Sequence, residues 1–131
     1  MKRKESFSFI ARLKSLSNAT SGLVDMISTE HNAWIHALVT VIVLILSWFL
    51  GVNAIEFTFI VISIVMVWTA EAFNTVLEIM ADLVVGQRYS AVVKRAKDIA
   101  AAAVLIAVFG AIVVGVIILG PHFHDRLTTS Y

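Results

Sequence analysis

The sequence predicts an all-α integral membrane protein: an amino-terminal amphipathic surface helix followed by three transmembrane helices, forming one domain over residues 1–131. Three observations predict it. Of the 131 residues, 60% are apolar and 15% charged, against roughly 45–50% and about 25% in an ordinary soluble domain. Residues 33–52 and 99–120 contain no Asp, Glu, Lys or Arg, and at about 1.5 Å per residue either run crosses the ~30 Å hydrocarbon layer of a bilayer. Finally, nine of the ten Lys and Arg residues precede the first run or lie between the second and third spans. That is the asymmetry of a cytoplasmic face.

Each element has its own signature. In residues 6–28, Phe9, Leu13, Leu16, Leu23 and Ile27 recur at three- to four-residue steps among Arg12, Lys14, Ser and Asn, the pattern of a helix lying on the membrane surface. Residues 1–32 are mostly polar and have no continuous apolar centre, so no cleavable signal peptide is expected. The first span covers 33–52. The second, 55–85, is uncharged over 57–70 but carries its apolar pattern onward through Glu71, Asn74, Glu78 and Asp82 until Gly86 ends it. This helix is long and half polar. The third, 97–120, stops where Pro121 removes a backbone donor, leaving a tail of 121–131.

Lys2, Arg3, Lys4, Arg12 and Lys14 precede the first span, and Arg88, Lys94, Arg95 and Lys97 follow the second. The amino terminus and the 86–97 loop are therefore expected in the cytoplasm and the tail outside, in a multi-pass inner-membrane protein of a bacterium. Net charge is +1, which gives no electrostatic handle on nucleic acid. Cysteine is absent, excluding disulfides, thiol nucleophiles and cysteine-bound metals.

The informative residues are polar groups inside the second span. Ionisable side chains facing lipid cost a few kcal/mol each, so they face protein, water or a ligand and mark function by default. With Glu71 at zero and 100° per residue, Asn74 falls at about −60°, Glu78 at about −20° and Asp82 at about +20°. All four share one stripe. A seam that only glues helices is served by neutral amides, whereas adjacent carboxylates repel unless a cation or donor joins them. A metal–phosphate site accounts for them better, because magnesium prefers oxygen ligands and uses one or two carboxylates together with nucleotide phosphates. Arg88, Lys94, Arg95 and Lys97 stand near the cytoplasmic end of this stripe, able to neutralise phosphate oxygens, although membrane anchoring alone also explains such residues. Glu30, just before the first span, is a further candidate ligand at the same level. His31, His36, His122 and His124 are divided between the two sides and predict no histidine metal site. Trp34, Trp48 and Trp68 read as interface or packing aromatics.

The run Ala70-Glu71-Ala72-Phe73-Asn74-Thr75-Val76-Leu77-Glu78, then Asp82, then Ala96-Lys97-Asp98 and an alanine-rich helix resembles the prokaryotic diacylglycerol kinase and undecaprenol kinase family. The resemblance extends from about Phe9 to Leu119 and rests on an E-x-x-N-x-x-x-E-x-x-x-D core followed by A-K-D. Members of that family are small homotrimeric membrane kinases that transfer the γ-phosphoryl group of ATP to a lipid hydroxyl at the cytoplasmic interface. The resemblance implies Glu71 as the catalytic carboxylate that accepts the hydroxyl proton, and Glu30 with Glu78 as ligands of Mg2+ bridging the ATP phosphates. It implies ATP contacts at Asn18, Glu30, Asn74, Glu78, Arg88, Tyr89, Ser90, Lys97 and Asp98, and lipid-substrate contacts at Glu71, Trp34, Asp82 and Ala101. Trp34 departs from the basic residue often found at its place in relatives, and the 12–22 stretch lacks their usual aromatic and basic pair. The pattern Thr29-Glu30-His31-Asn32 to Ile35-His36 is more similar to the undecaprenol-kinase branch.

The chain has no G-x-x-x-x-G-K-[ST] loop and no kinase-type glycine loop, so ATP would be held by side chains and metal rather than by a phosphate-wrapping backbone. Ala103, Ala107, Ala111 and Gly115 form a small-residue stripe that allows close helix approach, equally suited to packing within a protomer or between protomers of a trimer. The main rival from another class is a small oligomeric proton- or cation-conducting protein whose acidic stripe lines a pore. Such a pore needs neither Glu30 nor the Lys97-Asp98 pair. A purely structural membrane-assembly protein is a third reading.

Overall fold

A computed structural model describes residues 8–86 and 88–128. Lys2, Arg3, Lys4, residues 6–7 of the expected surface helix and tail residues 129–131 lie outside them. The described residues form four helices: α1 (Phe9–Thr29), α2 (His31–Leu50), α3 (Ala54–Val85) and α4 (Ala91–Thr128).

Helix α1 starts at Ser8, whose hydroxyl accepts the Ala11 N–H at 3.4 Å. It ends at Glu30, which is extended (φ −95°, ψ 119°) and whose N–H donates to the Met26 carbonyl at 3.0 Å. Glu30 is also the residue from which α2 starts. A single residue thus separates the surface helix from the first span. Phe9, Ile10, Leu13 and Leu16 are all exposed and Met26 is buried, as expected of a helix that meets lipid headgroups rather than a protein core.

The α2–α3 turn has a physical cause at each step. Gly51 adopts φ 70°, ψ 40°, the left-handed conformation in which its N–H and that of Val52 reach back to the last carbonyls of α2. Asn53 then opens α3 with a capping box: its side-chain oxygen accepts the Ile55 and Glu56 N–H groups at 3.0 Å, and Glu56 Oε2 accepts the Asn53 N–H at 2.9 Å.

Helix α3 packs most extensively on α4, with α2 against both. The buried apolar residues include Ala33, Leu50, Ile60, Val67, Ala100, Val104 and Ile118. Trp68 Nε1 donates to Thr40 Oγ1 at 3.1 Å, tying α3 to α2. This interior is small. The chain exposes 10599 Å², where a compact soluble monomer of its mass would expose about 6,800 Å². Three helices are long and apolar enough to cross a membrane, and their outward apolar faces make this an integral membrane fold.

The third span is longer than its uncharged run at both ends. The 86–97 loop expected from sequence is confined to 86–90, because the Ser90 hydroxyl accepts the Val93 N–H at 3.4 Å and so starts α4 at Ala91. At the other end, Pro121 does not stop the helix, which continues to Thr128. Proline deletes one helical hydrogen bond, and contacts beyond it hold the continuation in place. His122 Nε2 lies 2.9 Å from Glu56 Oε2. Arg126 Nη1 donates to the Phe49 carbonyl at 2.9 Å and sits 4.5 Å from the centre of the Phe49 ring. The ends of α2, α3 and α4 are thereby fastened together on the side away from α1.

The left-handed turn gives a prediction with a sign. Nothing lies within 4 Å of a Cβ added at Gly51, so Gly51→Ala meets only backbone strain and is expected to lower stability by about 1 kcal/mol. Gly51→Asn is expected to cost less, since Asn tolerates this conformation. Thermal unfolding midpoints of the two variants in detergent check the order.

Candidate active site

Four polar residues of α3 were expected on one stripe, and burial grades along it. Glu71 is 1% exposed and Asn74 6% exposed; Glu78 is half-buried; the side chain of Asp82 is 67% exposed. The stripe therefore runs from the sealed interior of the bundle to an open mouth. Helix α3 has 32 residues, about 48 Å, so it outruns the ~30 Å hydrocarbon layer. Glu78 and Asp82 lie on the excess length.

Around Glu71 the environment is dry and charged. Its Oε2 stands 3.6 Å from His36 Nε2, with side-chain exposures of 2% and 15%. Glu78 lies about two turns further along the same face of α3, and Glu30 is the single residue between α1 and α2. Asn74 Nδ2 donates to Glu78 Oε1 at 3.3 Å, one turn along α3, orienting a carboxylate that repulsion alone would leave mobile. The Glu30 side chain makes no capping bond to α2.

The mouth is lined by ion pairs. Lys97 Nζ donates to Asp82 Oδ1 at 2.9 Å, joining α4 to α3. Lys94 Nζ donates to Asp98 Oδ2 at 2.7 Å within α4. Both pairs are at least partly exposed, and pairs of that kind contribute little to stability and exchange partners readily. Arg88 and Tyr89 are exposed in the α3–α4 turn, with Ser90 half-buried beside them.

The remaining expected residues are more dispersed. Asn18 is exposed on α1, Trp34 is exposed near the start of α2, and Ala101 is exposed on α4. None of the three touches the Glu71 region through a hydrogen bond shown among the described residues. Two residues that the sequence reading left out do belong to the region: His36, which faces Glu71, and Thr75, which is 8% exposed beside it. Their signal was available in the helical wheel. Thr75 neighbours Asn74 and is followed three residues later by Glu78, while His36 is the one ionisable group inside the first span.

The donor set suits a hard cation and phosphate chemistry. Glu71 Oε2, Asn74 Oδ1 and Thr75 Oγ1 are buried with no hydrogen-bond partner, as is His36 Nε2; oxygen donors are what magnesium prefers. Among the described residues no three His, Asp or Glu side chains stand close enough to hold a metal by themselves. An ion here would accordingly take one or two carboxylates and fill its remaining positions from phosphate and water.

An apolar groove of about 530 Å³ lies between α1 and α3, lined by Leu23, Met26, Trp68, Ala72, Phe73 and Val76 among others. It passes Ala72, the residue next to Glu71.

Comparison with known proteins places the chain in a family. The family model described as prokaryotic diacylglycerol kinase matches residues 17–119. A protein of Synechocystis sp. named diacylglycerol kinase is 37% identical over 109 residues, covering 83% of this chain; the chain spans 62% of that relative's length. The protein of the same name from Escherichia coli K12 is 28% identical over 122 residues, covering 82% of this chain and 99% of the relative. With the match running from α1 through most of α4 and including every residue of the acidic stripe, the chain belongs to the prokaryotic diacylglycerol kinase family.

Proposed function

We propose that this chain is an ATP-dependent lipid kinase, transferring the γ-phosphoryl group of ATP to the hydroxyl of a membrane lipid at the cytoplasmic face of a bacterial inner membrane. The observation that carries the reading is Glu71: a carboxylate sealed in the bundle at the inner end of an oxygen-rich stripe that opens among cationic side chains. Family membership favours it over an ion-conducting pore.

The roles in this reading are those that the family resemblance implies. In this reading a membrane lipid presents its hydroxyl to Glu71. Glu71 takes the hydroxyl proton as the lipid oxygen bonds to the γ-phosphorus; the bond from that phosphorus to the bridging oxygen breaks, and its electron pair leaves with ADP. Glu30 and Glu78 would hold Mg2+, which supplies charge neutralisation on the ATP phosphates when bound. Asn74 keeps Glu78 oriented. Lys97 exchanges its exposed partner Asp82 for the transferred group, whose charge it stabilises. Arg88, Tyr89, Ser90 and Asp98 at the mouth, with Asn18 from the surface helix, contact the nucleotide.

The site of one protomer is open, and much apolar surface on its three spans is uncovered. A homotrimer in which neighbouring protomers complete each site accounts for both, with Trp34, Ala101 and Asp82 meeting substrate lipid at the shared boundary. The lipid alcohol is undecaprenol in this reading, with diacylglycerol the second choice, because the 29–36 sequence is closer to the undecaprenol-kinase pattern.

Two measurements test this. Purified protein given MgATP with undecaprenol and diacylglycerol in one vesicle preparation is expected to phosphorylate undecaprenol faster; no phosphorylated lipid of either kind would reject the kinase reading. Glu71→Gln is expected to lower kcat by about 10²-fold or more, with the oligomer retained on cross-linking.

A further inference from the structure

Glu71 is held by something, and the bundle offers one group to do it. His36 Nε2 and Glu71 Oε2 are both buried without a hydrogen-bond partner, and they face each other across 3.6 Å. Buried polar atoms are almost always paired, since an orphan retains its full desolvation penalty. The separation is too long for a formed hydrogen bond, and in ligand-free sites such bonds often close only when the substrate binds. His36 also lines a partly open cavity of about 380 Å³ between α2, α3 and α4.

We propose that His36 is the positioning residue of Glu71, donating its Nε2–H to Oε2 and leaving Oε1 to receive the lipid hydroxyl proton. This rests on the kinase reading, and in particular on Glu71 as the base. A donor placed there fixes the carboxylate rotamer, and it spans two helices. The aim of the base is therefore set by the packing of α2 on α3. Thr75 Oγ1 and Asn74 Oδ1, the other unpartnered buried atoms near Glu71, belong to the same helix as Glu71 and do not provide this link between helices.

The test compares His36→Leu, which keeps bulk and loses the donor, with His36→Gln, which keeps a donor near Nε2. Misplacing a catalytic group by an ångström costs up to about 10²-fold, so His36→Leu is expected to lower kcat by about 10- to 100-fold with KM for MgATP and lipid little changed. His36→Gln is expected to restore most of that loss. A leucine variant as active as the glutamine variant, or a defect confined to KM, overturns the proposal.

In a Glu71→Gln background, His36→Leu is expected to add no further loss, as coupled residues do; a full additional loss overturns it. Full turnover by Glu71→Gln alone would instead remove Glu71 as the base. Nitrogen NMR in bicelles, comparing the wild-type chain with Glu71→Leu, judges the contact itself. Nε2 is expected to carry a proton whose signal moves on Glu71→Leu, and an unprotonated Nε2 overturns the assignment.

Discussion

A carboxylate buried in a membrane bundle sets the terms for everything around it. Removing an ionised group from water is among the most expensive acts a fold performs, and Glu71 is 1% exposed on a helix long and apolar enough to span the bilayer. The surroundings are correspondingly specific: an imidazole opposite, a short polar seam along α3, and a bundle interior otherwise filled with small and branched apolar side chains. Bulk hydrophobicity places the helices in the membrane. The acidic stripe determines which faces of those helices meet.

The two ends of the bundle are built differently. Away from α1, the structure is tied by Glu56, His122, Arg126 and the Phe49 carbonyl, so three helix ends behave as one rigid cap. Toward α1 the contacts are exposed ion pairs, Lys97 with Asp82 and Lys94 with Asp98. Such pairs are easily rearranged. A fold fastened at one end and exchangeable at the other can admit charged molecules on one side of the membrane without loosening the rest.

Much of this was legible in the sequence. The two uncharged runs over 33–52 and 99–120 gave the spans, and the 3.6-residue period put Glu71, Asn74, Glu78 and Asp82 on one face. The helix boundaries were less legible. Pro121 looked like a terminator because the contacts that carry α4 past it come from Phe49 and Glu56, far away in sequence. His36 was passed over for a related reason: a single histidine in an apolar run is ambiguous until a partner from another helix is seen, and Glu71 is 35 positions further on. The pairing of Lys97 with Asp82 was hidden likewise, since each residue alone suggested a ligand contact. Periodicity reports faces of one helix; it does not report which faces touch.

The junction at Glu30 leaves no slack. With one extended residue between α1 and α2, a tilt of the amphipathic rod has no linker in which to dissipate and must turn the backbone dihedrals of Glu30 itself. A change in the tilt of α1 therefore also moves an acidic side chain at the head of the first span.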